Sequence, residues 1–451
     1  MTPAAPDPAP DAPDASVPPV IRVALLGAGT VGSEVLRLIR EHNGDLAHRI
    51  GARLEVVGVA VRDIGRDRGP HVDPALLTTD AEGLVTRADL VVEVMGGIEP
   101  ARSLILSAME SGASVVTANK ALLAQDGTSL YEAADRHGVD LSFEAAVAGA
   151  IPLIRPIRES LAGDRIQRVM GIVNGTTNFV LDAMTRTGAE QAEVVARAQE
   201  LGYAEADPTA DVEGYDAAAK ASILASLAFH TRVGLGDVHR EGITAVTSDD
   251  IAAARRMGRT IKLLSIVERI VDGQEERVSA RVYPALIPDS HPLASVSEAY
   301  NAVFVEAEAA GSLMFYGQGA GGTPTASAVL GDVVGVARLR VNGGYGPRES
   351  HYAELPIAGI GDLRTQFYLA LTVEDRPGVL ADVAGCLSSH GISISTIHQQ
   401  PLTDGEDQGE RAVIGIATHR SREQSMTVAL DELSARPAVL SIDSVLRLEG
   451  E

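Results

Sequence analysis

Apolar positions along this chain switch between two periods. The stretch VIRVALL, residues 20–26, is an almost unbroken apolar run, the pattern of a strand covered on both faces. TVGSEVLRLIREH then adopts helical spacing, with Val31, Val35, Leu38 and Ile39 on one side. RLEVVGVAV, ADLVVEVM and ASVVTA repeat the strand pattern, with helical stretches between them. Such alternation predicts a doubly wound parallel sheet of the Rossmann type over residues 20–150. Beyond it RIQRVMGIV, IKLLSIVERI and RVSARVYPALI predict strands of a second sheet, interspersed with Ala-rich helices such as DAAAKASILASLAFH. Residues 151–316 therefore read as an α+β unit. A Gly-dense turn leads into a helix near residues 324–337, and the segment 317–340 is expected to complete the first domain. Residues 341–364 read as a linker. From 365 to 451 the order is β-α-β-β-α-β, a ferredoxin-like split βαβ pattern whose first helix is expected from Pro377. The whole is α/β in class, with no internal repeat.

The turn after the first strand, GAGTVG, sets Gly27, Gly29 and Gly32 in G-x-G-x-x-G spacing at the start of a helix. In that context the motif predicts a dinucleotide site, with Thr30 and Val31 opening the helix whose N-terminus faces the phosphates. The first glycine permits the tight turn, the second admits the pyrophosphate, and the third lets helix and strand pack closely. The second strand ends VAVRDIG. Arg62 there precedes Asp63, and an arginine suits the 2′-phosphate of NADP better than the free ribose of NAD. NADP(H) is thus the preferred cofactor, with NAD(H) possible; solvated loop arginines are the plainer reading.

Composition narrows the field. The 451 residues are 45% hydrophobic with a formal net charge of −23 and no basic run, which argues against nucleic acid and anionic membranes as partners. No apolar run approaches the ~20 residues of a membrane span. The Pro/Ala/Asp-rich residues 1–19 lack the form of a signal peptide and are expected to be a disordered tail. Cys386 is the only cysteine, which leaves no internal disulfide and no Cys-based zinc site, and points to the cytoplasm.

Lysine occurs three times, at 120, 220 and 262, among 38 basic residues. Lys220 ends LGYAEADPTADVEGYDAAAK, which also carries Glu205, Asp207, Asp211, Glu213 and Asp216. Asp216 and Lys220 are spaced i, i+4 and so share one helix face. A surface ion pair is the commoner meaning of that spacing. Here the following ASILASLAFH is apolar nearly all round, so the helix is buried, and a buried lysine needs a partner or a task. Where charge alone suffices this chain uses arginine, which cannot release a proton; Lys220 is a candidate proton donor and acceptor. The neighbouring acids suit a substrate ammonium. Lys120, in VVTANKALL, follows a later strand of the first sheet, at the edge where ligands collect. Lys262 reads as structural.

These segments, together with EVMGGIEPA, FEAAVAGAIPLI, IVNGTTNFVL and GQGAGGTPTASAVLGD, resemble the homoserine dehydrogenase family, in order over residues 20 to about 340. The resemblance implies reduction of L-aspartate 4-semialdehyde to L-homoserine with a nicotinamide cofactor, in threonine, methionine and isoleucine biosynthesis. It implies Lys220 as general acid/base, with Lys120 and Asp216 beside it. Glu205, Asp211, Asn174, Gly175 and Thr176 would bind the amino acid. Gly96, Lys120, Gly319 and Gly321 would join the glycine turn and Arg62 around the cofactor. Glu144, Val147, Gly149 and Ile151 match positions that bind a sodium ion, mostly through backbone oxygens; this rests on the resemblance alone. A homodimer or homotetramer is expected, without an aspartate-kinase domain ahead of the first strand.

Residues from Phe367 onward resemble the ACT domain, an amino-acid-sensing module, with DRPGVL (375–380) turning its first strand into its first helix. The resemblance implies L-threonine as effector; a stability or dimerisation module without ligand is the alternative. Two other functions stay open: an amino-acid-binding regulator on a degenerate dehydrogenase scaffold, and a reductase of another amino or hydroxy aldehyde. Oxidative phosphorylation of the same semialdehyde requires a cysteine nucleophile, and Cys386 lies in the wrong module for it.

Overall fold

The computed structural model describes residues 19–348, 353–402 and 411–450. Residues 1–18 of the expected 1–19 tail, 349–352 of the linker, and 403–410 and 451 of the C-terminal module lie outside the described residues.

The first sheet contains β1 (Val20–Leu26), β2 (Arg53–Ala60), β3 (Leu77–Thr78), β4 (Leu90–Glu93), β5 (Ser114–Thr117) and β6 (Leu141–Ser142). All its pairings are parallel, in the order β3-β2-β1-β4-β5-β6. The order reverses between β1 and β4, which opens a crevice at their carboxyl ends. Helices Thr30–Ile50 and Gly322–Val341 pack together on one face, where Val35, Leu36, Ile39, Val329 and Val333 are buried. Helices Ala101–Glu110 and Lys120–His137 cover the other, burying Leu104, Ile105, Leu122 and Leu130. The late helix Gly322–Val341 thus returns to the first domain. The first halves of β1 and β2 are covered on one face only. Arg22 turns outward there, to hydrogen bonds with Asp89 at 2.9 and 3.0 Å, so the expectation of two buried faces holds only for their second halves.

The second sheet takes up β7 (Ile166–Ile172), β8 (His239–Arg240), β9 (Arg259–Asp272), β10 (Glu275–Pro288), β11 (Tyr300–Ala307) and β12 (Gly311–Gln318). It continues into β13 (Arg364–Glu374), β14 (Ile394–Pro401), β15 (Arg411–Thr418), β16 (Ser421–Arg422) and β17 (Val439–Leu448) of the C-terminal module. The order is β12-β11-β7-β9-β10-β17-β13-β15-β14. The long hairpin β9–β10 forms its spine, paired from Glu275–Asp272 to Pro288–Arg259. Helix Tyr215–Phe229 lies across that hairpin and buries nearly every side it has, as its all-round apolar pattern requires.

The C-terminal module joins the sheet by a short parallel pairing, Ala285 with Arg447 and Leu286 with Leu448. A buried polar seam reinforces it. Arg447, held by Glu423 of its own module at 2.7 Å, reaches Glu241 at 2.8 Å, while the Tyr283 hydroxyl donates to Glu449 at 2.7 Å. Its helices, Val379–Ser389 and Glu423–Ser434, share one face of the module's strands over Phe367, Leu369, Leu371, Ile414 and Ile416. The first of them starts at Val379, two residues later than expected. Gly378 caps it at φ 95°, a left-handed turn that leaves Pro377 ahead of the helix.

Candidate active site

A cavity of about 950 Å³ separates the carboxyl edge of the first sheet from the second unit. Its floor is the start of helix Tyr215–Phe229. Lys220, only 7% exposed, projects from the first turns and donates to Asp216 Oδ2 at 2.7 Å and to the Val173 carbonyl at 2.6 Å. Lys120 opens the helix after β5 and reaches across from the first domain to Asp216 Oδ1. One carboxylate therefore holds two ammonium groups on opposite walls. Asn174 Nδ2 fixes that carboxylate further, donating to Asp216 Oδ2 at 2.9 Å and to Asp211 Oδ1 at 2.6 Å.

Burial governs the electrostatics. Desolvation pulls the Lys220 ammonium below its ordinary value of 10.5 and the charge on Lys120 adds to this, while the Asp216 carboxylate opposes both. For Asp216 desolvation alone would raise the pKa; the two lysines outweigh it and hold the carboxyl well below the usual range. The result is an ionised carboxylate beside an amine that releases its proton more readily than a solvated lysine.

Several neighbours keep these groups in place. Asn119 caps the Lys120 helix, accepting from the Leu122 N–H at 3.1 Å, and ties it to the Gly97 carbonyl at 2.6 Å. Glu93, fully buried, accepts from the N–H groups of Met95 and Gly96 at 2.8 and 3.0 Å and from Thr117 Oγ1 at 2.6 Å, which shapes the loop after β4. Asn174 caps helix Gly175–Thr187 through the Thr177 N–H at 2.9 Å. That cap leaves the N–H groups of Gly175 and Thr176 at a helix N-terminus facing the cleft. Glu205 and Asp211 lie on the same wall.

At the other end stands the glycine turn. Gly27 has φ 104°, and a Cβ at Gly32 would lie 2.2 Å from the Gly27 oxygen, so both positions demand glycine. Helix Thr30–Ile50 begins without a side-chain cap, which leaves its first N–H groups for phosphate. These features fit a dinucleotide. Val31, Gly96, Lys120, Gly319 and Gly321 line the cavity itself, while Gly27, Gly29, Thr30 and Gly32 form the turn beyond it. Gly322 packs against Thr30, so the second Gly-rich turn meets the first. Arg62 is exposed past the end of β2; the Asp63 carboxylate accepts from the Gly65 N–H at 2.8 Å.

The segment 144–151 runs along the cleft. The Glu144 carboxylate accepts from the backbone N–H groups of Leu153, Ile154 and Arg155 at 2.5, 2.7 and 3.0 Å, which leaves its carbonyl rather than its side chain for a cation. Val147 and Ile151 are buried, and Gly149 at φ 58° leans on Gly319, where a Cβ would fall 2.3 Å from the Gly319 oxygen. Backbone carbonyl oxygens are the ligand type a hard cation takes. Lys262 is buried, bonds to Asn178 Oδ1 at 3.0 Å and the Val296 carbonyl at 2.5 Å, and does not line the cleft. Sequence patterns missed Glu93, Asn119 and Asn301. Single polar residues at strand ends give no periodic signal, and only the Asn before Lys120 had the form of a helix cap.

The chain matches three family models: homoserine dehydrogenase over residues 152–334, the NAD-binding domain of homoserine dehydrogenase over 27–144, and the ACT domain over 367–436. It is 57% identical over 434 residues to the homoserine dehydrogenase of Corynebacterium glutamicum, covering 96% of each chain. Its fold is similar to that of a homoserine dehydrogenase from Thiobacillus denitrificans, with a TM-score of 0.88, 40% identity and coverage of 95% and 98%. A hyperthermophilic archaeal homoserine dehydrogenase in complex with NADPH matches with a TM-score of 0.58 and 26% identity, over 70% of this chain and 97% of that one.

Proposed function

This chain belongs to the homoserine dehydrogenase family, and on that premise we propose how its cleft interconverts L-aspartate 4-semialdehyde and L-homoserine. The enzyme is a nicotinamide-dependent oxidoreductase. When bound, the reduced nicotinamide supplies a hydride to the aldehyde carbon. Lys220 supplies the proton: its Nζ gives one to the carbonyl oxygen as charge develops there, so hydride and proton together make the hydroxyl of homoserine. In the reverse direction the neutral amine accepts that proton. Lys120 stands between cofactor and substrate and adds positive charge beside the developing oxyanion. Asp216 holds both amines and keeps them aimed.

The carboxylates of Glu205 and Asp211 receive the substrate ammonium, with Asn174 holding Asp211 in place. The substrate carboxylate takes the N–H groups of Gly175 and Thr176 at the helix N-terminus. The shared carboxylate between Lys120 and Lys220 carries this reading. It is tested by mixing enzyme, NADPH and L-aspartate 4-semialdehyde and following loss of absorbance at the reduced-nicotinamide band. An enzyme that prefers another aldehyde, or that binds threonine without turnover, would overturn it.

NADP(H) is preferred through Arg62, since the competing Asp63 carboxylate is engaged by its own loop. The carbonyls of Glu144, Val147, Gly149 and Ile151 would hold sodium and fix the segment that leans on Gly319; replacing sodium by choline should then weaken cofactor binding. L-threonine acts through the ACT domain, whose DRPGVL turn is fastened by Gln399 donating to Asp375 at 3.1 Å. The enzyme works in the cytoplasm as a dimer or tetramer, for which the exposed edge strand β12, with Met314 and Tyr316, offers a surface.

A further inference from the structure

The polar groups deep in the cleft are satisfied, with one exception. Lys220, Asp216, Asn174, Asn119 and Glu93 all have partners. Asn301, on β11, is 1% exposed, and neither its Oδ1 nor its Nδ2 has a hydrogen-bond partner among the described residues. A buried amide left open at both ends is rare and costly, and so asks for a ligand group. It lies in the wall of the catalytic cavity, framed by two glycines of the same wall. A Cβ at Gly319 would fall 2.1 Å from its Cγ, and a Cβ at Gly175 would come 3.5 Å from its Oδ1. Backbone closes on this amide at Gly319 and approaches its oxygen at Gly175.

The open groups are one donor and one acceptor side by side. Among the reactants, the substrate ammonium only donates, while its carboxylate and aldehyde only accept. The homoserine hydroxyl does both, but at a single atom already assigned to Lys220. A primary carboxamide matches the Asn301 amide group for group. From this geometry we infer that Asn301 binds the nicotinamide carboxamide of the cofactor, Oδ1 accepting from its NH₂ and Nδ2 donating to its C=O. The pair fixes which face of the ring meets the substrate carbon. Both atoms are shut off from solvent beneath Gly319, so the carboxamide reaches them as the Gly319–Gly321 turn, which bends at Gly321 with φ 121°, shifts outward. This assignment rests on the dehydrogenase reading above.

The test is homoserine oxidation with the ordinary oxidised cofactor and with its 3-acetylpyridine analogue, in which a methyl replaces the carboxamide NH₂. The quantity read is the ratio of kcat/KM for the two cofactors, so the intrinsic reactivity of each cancels between variants. Asn301→Ala should lower the preference for the carboxamide about tenfold relative to the unaltered enzyme, the worth of one good hydrogen bond. Asn301→Asp is isosteric; it keeps the acceptor and loses the donor. It should retain the preference while kcat/KM falls with both cofactors. An unchanged ratio in the alanine variant, or an aspartate variant as fast as the unaltered enzyme, overturns the assignment, since a merely structural amide would slow both cofactors alike. Absence of turnover in the unaltered enzyme with its ordinary cofactor would instead refute the dehydrogenase reading.

Discussion

Lys220 Nζ stands 2.7 Å from Asp216 Oδ2 across one turn of a buried helix, and the other oxygen of that carboxylate holds Lys120 from the facing domain. Removing the shared charge should therefore disturb both amines. Asp216→Asn removes the main group that opposes the desolvation of Lys220 and leaves only the weaker pull of Asp211, so its pKa falls further. Aldehyde reduction needs the protonated amine and is lost as pH rises through that pKa. The alkaline limb of kcat/KM should thus move to lower pH in the variant, with kcat down roughly a hundredfold. A pH–rate profile of both proteins checks this; coincident limbs would contradict it.

Arg62 tests the cofactor preference. Arg62→Ala should raise the Kd for NADPH about tenfold or more and leave NADH within about twofold, read by fluorescence titration. Equal weakening of both cofactors would remove the 2′-phosphate role.

Two glycines of the nucleotide turn should respond differently. A Cβ at Gly29 meets nothing within 4 Å, whereas one at Gly32 meets the Gly27 carbonyl at 2.2 Å. Gly29→Ala should leave thermal stability nearly unchanged yet weaken cofactor binding, because a bound pyrophosphate would pass there. Gly32→Ala should cost about 1–3 kcal/mol of stability in denaturant titration, as overpacking does.

The seam to the C-terminal module has a pH signature. Burial would raise the pKa of Glu241, but His239 and Arg447 outweigh it and bring the group from 4.5 to about 2. A depressed carboxylate stabilises the fold above its unfolded pKa, and that stability is lost as pH falls from about 5 towards 2. Glu241→Gln should flatten this part of the stability curve, measured by denaturant midpoints at stepped pH. It should also weaken any response of activity to L-threonine, since Arg447 then loses its ion pair across the seam and keeps Glu423 of its own module.

Much of this was legible beforehand because periodicity reports burial. The parallel strands around GAGTVG, the buried Asp216–Lys220 helix and the split βαβ module each leave a local pattern. What periodicity does not carry is pairing between distant segments. Nothing in RVSARVYPALI or VLSIDSVLRLE says that β10 and β17 join edge to edge, or that Arg447 and Glu241 meet there. Lys120 could be placed at a sheet edge, but its contact with Asp216 spans two domains. Asn301 reads as one polar residue ahead of an apolar strand, and its isolation becomes visible only when Gly175 and Gly319 close around it. At Arg22 and Gly378 local chemistry overrode the pattern: an ion pair turned one strand end outward, and a left-handed glycine delayed a helix.

The central claim is that the amine of Lys220 moves the proton in the hydride-transfer step. Its most direct test is Lys220→Ala, assayed for NADPH-dependent reduction of L-aspartate 4-semialdehyde and, on the same sample, for NADPH affinity by fluorescence. Turnover should fall by about a thousandfold or more with the cofactor Kd within about twofold of the unaltered enzyme. Turnover retained to within tenfold, or a cofactor site lost along with activity, would contradict the account.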